Sequence, residues 1–297
     1  EVDVSQQFMP QVWKFWEDGL PISTYLDELP YYLGSVMPSI IFNLNRPGLD
    51  QAVVRRAIAM SVDYEQIAEA AMSGYTEPIE PTLMNLSDPE QALFNRDELV
   101  DLLWVGKQVD EANALLDEAG IVDTDGDGIR EFEGEPLVFT IQCPTGWTDW
   151  NATCEIVAAA GKSIGIDIST FFPEASVYTD NRMVGDFDLL MASYNGASAI
   201  SPWIRIYSVL YSDHGENQDA ENVFYNFGRY SNERVDELID AIPTMEEDEQ
   251  IEAYTELNRI YLEEVPTFPT MYRPVYFHTV NESVWTNYPE QGDGTDI

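Results

Sequence analysis

Positive charge is the scarcest feature of this sequence. Its 297 residues hold 14 lysines and arginines against 54 aspartates and glutamates, a formal net charge of −40 at pH 7. A surface so acidic repels phosphate backbones and anionic lipid headgroups, which argues against a nucleic-acid partner and against polybasic membrane attachment. Long apolar runs are missing too: no stretch reaches the roughly 18 to 20 apolar residues of a membrane-crossing helix. There are two cysteines, Cys143 and Cys154, compatible with one short bridge in an oxidising compartment or with two buried thiols. The two histidines, His214 and His278, stand in no spacing with Cys, Asp or Glu that suits zinc or iron. No GxSxG, Walker or GxGxxG pattern occurs, so nucleophile-elbow and nucleotide chemistry have no support. Among 54 carboxylates some pair always falls at a glycosidase spacing, so that coincidence carries almost no weight. The chain is therefore read as not an enzyme. Its opening EVDVSQQFMP has no initiator Met, basic segment or apolar segment, and says nothing about export.

What is present is enough to fold. Hydrophobic residues make up 44% and aromatic residues 12%, too many for a disordered acidic tail. The length allows one large domain or two smaller ones. Helical and extended patterns alternate. LDQAVVRRAIAMSV reads as a helix with Val53, Ala57 and Met60 on one side; Asp63 then caps a second helix, with Gln66 in the capping-box position and Gly74 at its end. KQVDEANALLDEAG places Val109, Ala112, Leu116 and Ala119 on one face and stops at Gly120. PLVFTIQC, TDWNATCEIVAAAGKSIG and IDISTFF read as strand, helix, strand, and FDLLMASY as another strand. SNERVDELIDAI and EEDEQIEAYTELNRIYLEEV are late helices, the second burying Ile251, Tyr254, Leu257 and Tyr261, and MYRPVYFHTV closes as a single strand. The order gives an α/β domain with a mostly parallel or mixed sheet.

Between the 107–120 helix and the 136–143 strand lies DTDGDGIREFEGE. Asp123, Asp125 and Asp127 followed by Gly128 and Ile129 match the first seven positions of a calcium loop. The twelfth position, which should be a bidentate Glu, is Gly134, and a strand follows instead of a helix. Two readings stay open: a structural calcium site on Asp123, Asp125 and Asp127, completed by Glu131 or Glu133, or an Asx and glycine turn whose carboxylates cap their own backbone. Neither reports an activity, and no other cofactor is required.

The run FNLNRPGLDQAVVRRAIAMSVDYEQIAEAAMSGYTEPIEPTL resembles the segment that opens the large C-terminal lobe of family 5 extracellular solute-binding proteins. VDEANALLDEAGIVDTDGDGIRE, YSNERVDELIDAI and VPTFPTMYRPVYFHTV follow in the order of that family. The resemblance implies a periplasmic-binding-protein-like C-terminal lobe (type II, large cluster C), with a mixed sheet flanked by helices. It places residues 1–37 at the hinge and the edge of a first lobe, 38–271 in the C-terminal lobe and 272–297 on the return to the hinge, with the N-terminal lobe absent. Function follows by implication: a monomeric receptor that captures a small oligomeric solute between two lobes and delivers it to an ABC permease. Such receptors are extracellular, periplasmic or lipid-anchored at the cell surface.

Ligands of α/β sheets sit at the carboxyl ends of strands. CPTGWTDW occupies such a position and offers Trp147, Asp149 and Trp150; SYNGASAISPW, after FDLLMA, offers Tyr194, Asn195, Ser198 and Trp203. Trp13 and Trp16 face the site from the hinge side or are buried in the lobe interface. Peptide receptors of the family often carry, after that strand, an Asp that pairs with the peptide amino terminus, and SYNGASAISP has no acid. That departure favours a neutral oligosaccharide over an oligopeptide. A glycan-active enzyme and a calcium-stabilised surface module are the remaining alternatives.

Overall fold

The computed structural model describes residues 3–32, 36–85, 88–193, 201–212 and 223–289. In chain order the first elements are β1 (Val4–Ser5), α1 (Trp13–Glu17), β2 (Ile22–Thr24), β3 (Ser39–Phe42), α2 (Ala52–Ser61), α3 (Tyr64–Gln66), α4 (Asp88–Gln91) and α5 (Val109–Glu118). Next come β4 (Glu131–Phe132), β5 (Glu135–Pro136), β6 (Val138–Gln142), α6 (Thr148–Ser163), β7 (Asp167–Phe171), α7 (Ala175–Val184) and β8 (Leu189–Ala192). The last are α8 (Trp203–Leu210), α9 (Glu233–Ala241), α10 (Glu247–Glu264), β9 (Thr267–Pro269) and β10 (Thr279–Asn281). No helix among the described residues is long and apolar enough to cross a membrane.

The main sheet has five strands in the order β7-β6-β8-β3-β9. β6 runs parallel to both β7 and β8, whereas β3 runs antiparallel to β8 and β9, so the sheet is mixed. Both of its faces are covered. In β3 and β8, Ile40, Phe42, Leu189 and Met191 join the large core, while Ile41, Leu190 and Ala192 point the other way to meet Tyr178 of α7, Phe187 and Phe227. Alternation along a strand thus feeds two cores, which is why these strands read as unbroken apolar runs. α6 lies close on the sheet because Gly161 has no side chain: a Cβ there would stand 2.6 Å from Cδ1 of Ile168 in β7.

Caps account for the helix ends. The Asp63 carboxylate accepts from the Gln66 backbone N–H at 2.9 Å, as the spacing predicts. Beyond Gln66, however, the helix widens into a π-turn over Ile67–Ala71 before it stops near Gly74. Glu246 and Glu249 form a reciprocal capping box at the start of α10, whose Tyr254, Leu257 and Tyr261 are buried. The acidic face of that helix stays in water.

The closing segment differs from expectation. MYRPVYFHTV is not one strand: β9 ends at Pro269, Arg273 makes a single bridge to Val36, and β10 joins a separate three-stranded sheet in the order β1-β10-β2. Pro269 and Pro274 have no N–H to offer a continuous ladder, and the chain uses the break to pass from one sheet to the other.

Candidate functional site

The parallel registers Gln142↔Phe171 and Gln142↔Leu190 bring the carboxyl ends of β6, β7 and β8 to one edge of the main sheet. Ser39 pairs with both Ala192 and Pro269, so β3 enters and β9 leaves at that edge. The two segments that cross to the small sheet, 36–38 and 270–273, therefore start from the same edge as the loops that follow β6, β7 and β8.

Trp147 stands there as the residue preceding α6, and is 46% exposed. Its ring rests edge-to-face on Trp150, with centroids 4.9 Å apart at 74°. Trp150 is buried in the core, and among the described residues its Nε1 has no hydrogen-bond partner. One tryptophan thus offers a face and the other props it. The loop is held by backbone bonds from Cys143 N–H to the Phe171 carbonyl at 3.3 Å and from Thr145 N–H to the Pro173 carbonyl at 2.9 Å. Below it Cys143 and Cys154 are buried free thiols; burial, with Cys143 beside it, pushes the Cys154 thiol up.

The other candidates are placed less openly. Asp149 is buried, and its Oδ2 accepts from Nε of Arg273 at 2.5 Å. Trp203 opens α8, is stacked on Tyr207 at 4.9 Å and 20°, and donates from Nε1 to the Ile239 carbonyl at 2.8 Å. It is packed onto α9. Trp16 meets Tyr31 edge-to-face at 5.4 Å and, with Ile22, Ser23, Thr24, Leu26 and Asp27, lines a recess of about 210 Å³ on the small sheet. Trp13 packs against Tyr31 and Tyr75. Tyr194, Asn195 and Ser198 lie outside the described residues.

Two neighbours of the site were missed by sequence reasoning. Phe171, the last residue of β7, is 45% exposed at the same edge; the doubled aromatic at the end of IDISTFF was the available signal. Gln142 is buried, accepting from Asn181 at 3.0 Å and donating to the Asp186 carbonyl at 2.9 Å, and so ties β6 to α7.

The acidic turn sits at the opposite end of β6. Asp123 accepts from Gly126 at 2.6 Å and Gly128 at 2.9 Å, Asp125 from Asp127 at 3.1 Å, and Asp127 from Ile129 at 2.7 Å. The N–H groups of Gly126 and Gly128 hold the Asp123 carboxyl below the usual range. Glu131 accepts from the Thr124 N–H at 2.8 Å, and oxygens of Asp123, Asp125, Asp127 and Glu131 all lie within 4.8 Å of one another. These are the residues that could hold a cation, although their own backbone already answers them. The turn lies a full strand away from Trp147.

The mixed sheet covered on both faces matches the periplasmic-binding-protein-like class of fold, as the likeness to solved structures of that class shows. The family model for bacterial extracellular solute-binding proteins, family 5 middle, matches residues 1–217. The chain belongs to that family. It is similar to the oligopeptide-binding protein AppA of Bacillus subtilis, 28% identical over 145 residues, which are 48% of this chain and 25% of the relative. Among solved structures it resembles a mannohexaose-bound periplasmic oligopeptide-binding protein of an oligopeptide ABC transporter from Thermotoga maritima. There the TM-score is 0.90 at 28% identity, over 98% of this chain and 53% of the other. AppA of Bacillus subtilis in complex with a nonapeptide gives a TM-score of 0.70 at 19% identity, over 94% and 52%, a likeness of fold alone. The chain spans about half the length of these solved structures.

Proposed function

We propose that this chain supplies the second lobe of a two-lobed receptor that captures an oligosaccharide and presents it to the permease of an ABC importer. In this division residues 38–271 form the lobe, and 1–37 and 272–297 form the hinge and the edge of the first lobe. The observation that carries the reading is Trp147, an exposed ring propped by a buried one at the carboxyl edge. A flat aromatic face held rigid is a platform for the apolar faces of sugar rings. The acid-free SYNGASAISP that follows β8 supports a neutral ligand, and the mannohexaose-bound relative agrees with it. The extracellular family supports action outside the cytoplasm; in this reading the protein works as a monomer and without turnover.

A second reading is an oligopeptide receptor, favoured by the sequence likeness to the oligopeptide-binding protein AppA. Tryptophan fluorescence of the full-length receptor, titrated with manno-, cello- and xylo-oligosaccharides and with di- to pentapeptides, separates the two. Saturable quenching by an oligosaccharide is expected. Saturation by peptides alone replaces the ligand class, and consumption of the sugar would replace the receptor by an enzyme.

A further inference from the structure

Arg273 is tied to three parts of the molecule. Its backbone N–H and carbonyl pair with Val36, each at 2.8 Å, so it is the point where the two crossing segments are joined. Its guanidinium lies 4.6 Å over the ring of Phe277 and 6.0 Å from that of Phe8. Those rings belong to a brace next to the small sheet, in which Phe277 meets Tyr32 at 4.9 Å and Phe8 at 5.5 Å, and Phe8 meets Tyr75 at 5.8 Å. Tyr32 in turn reaches Thr279 of β10 at 3.0 Å. Finally, Nε of Arg273 donates to Asp149, in the first turn of α6 and two residues after Trp147.

The carboxylate of Asp149 is almost wholly out of water, with its side chain 3% exposed against 20% for Arg273. In a chain with 14 cationic side chains and 54 acidic ones, it has one of the few available partners. A desolvated charge of this kind is held in place because release would leave it unpaired. The pair therefore resists separation of α6 from the crossing segments more strongly than a surface ion pair would.

We propose that Arg273 is a positioning residue for solute capture: through Asp149 it fixes the Trp147 loop and α6 at a set angle to the crossing segments and the small sheet. This rests on the receptor reading above. Asp149 is then a structural anchor of the platform, not a hydrogen-bond donor or acceptor for the ligand. Solute capture needs the platform and the opposing lobe to meet in one geometry, and loosening that geometry lowers the fraction of competent molecules and the apparent affinity in proportion.

The angle can be read without a ligand. Spin labels on Glu155→Cys, exposed on α6, and Glu282→Cys, exposed beside β10, report the distance between helix and small sheet. The native thiols are buried and do not compete. A narrow distance distribution is expected for the parent chain, and a broadened or displaced one for Arg273→Met. Because that variant strands a buried carboxylate and can fail to fold, the double variant Asp149→Asn/Arg273→Met, which strands no charge, is measured as well and should broaden too. Arg273→Lys, which keeps the charge but loses the fork, should fall between. In the full-length receptor the double variant should bind mannohexaose at least about tenfold more weakly than the parent. An unchanged distribution in the double variant overturns the proposal. Failure of the parent to bind mannohexaose leaves the distance test standing and counts against the ligand class alone.

Discussion

The two ends of β6 use aspartate in opposite ways. At the amino end Asp123, Asp125 and Asp127 stand in solvent, and the N–H groups of their own turn satisfy them. At the carboxyl end Asp149 is buried and held by an arginine from a segment 124 positions away. In a chain this acidic most carboxylates are coat, and the ion pairs of Arg234 and Arg259 are themselves exposed. Arg205 with Glu90, buried with side-chain exposures of 6% and 0%, is built into the fold as Arg273 with Asp149 is. The comparison separates acids by their partners rather than by their abundance.

The largest expected effect lies beside the anchor. Trp150→Ala should cost about 3 to 5 kcal/mol, as truncations of buried aromatic residues do, measured by urea unfolding. Asp149→Ala should cost about 3 kcal/mol, because Arg273 is left without its partner. Asp125→Ala, measured in chelator, should leave the urea midpoint near that of the parent. Equal losses for Asp149→Ala and Asp125→Ala would erase the difference between the two ends of β6.

Calcium sharpens the contrast from the other side. If the turn binds the ion, the melting temperature of the parent rises with calcium, and Asp125→Asn loses part of that rise while matching the parent in chelator. Identical melting with and without calcium leaves the turn to its own backbone bonds. The smallest effect is on pH. The Asp123 carboxyl is held below its usual value of about 3.9 by the N–H groups of Gly126 and Gly128. Its contribution is fully present above the unfolded value and is lost as pH falls through the folded one. The stability difference between the parent and Asp123→Ala should therefore shrink as the medium is taken from pH 5 towards pH 2. A difference that does not vary over that range would remove the backbone bonds as the cause.

Much of the scaffold was legible because it is local. The apolar spacing and end signals of α2, α5, α6, α9 and α10 predicted those helices to within a few residues, and the β6-α6-β7 unit followed from composition. α7 was not read: ASVYTDNRMV buries only Tyr178, so no apolar stripe announces it. α8 was not read either: the candidate loop ended at Trp203, its first residue, and the buried Ile206, Val209 and Leu210 beyond it were left unassigned. The split of the closing segment depends on which sheet each half meets, a tertiary fact that strand composition does not carry. Within the candidate site the strand-to-helix place of Trp147 was legible, and the structure leaves its ring exposed there. The pairing of Asp149 with Arg273 was not, because the two stand 124 positions apart and nothing local signals that they meet.

The central claim is that the propped ring at the carboxyl edge is the face that receives the solute, and calorimetric titration of Trp147→Ala in the full-length receptor tests it most directly. A half-exposed ring contributes little to folding, so the variant should melt close to the parent. A stacked aromatic anchor commonly carries about 2 kcal/mol or more of binding, so the affinity for mannohexaose, or for the oligosaccharide that the parent prefers, should fall at least about tenfold. Oligosaccharide binding as tight in Trp147→Ala as in the parent would contradict the account.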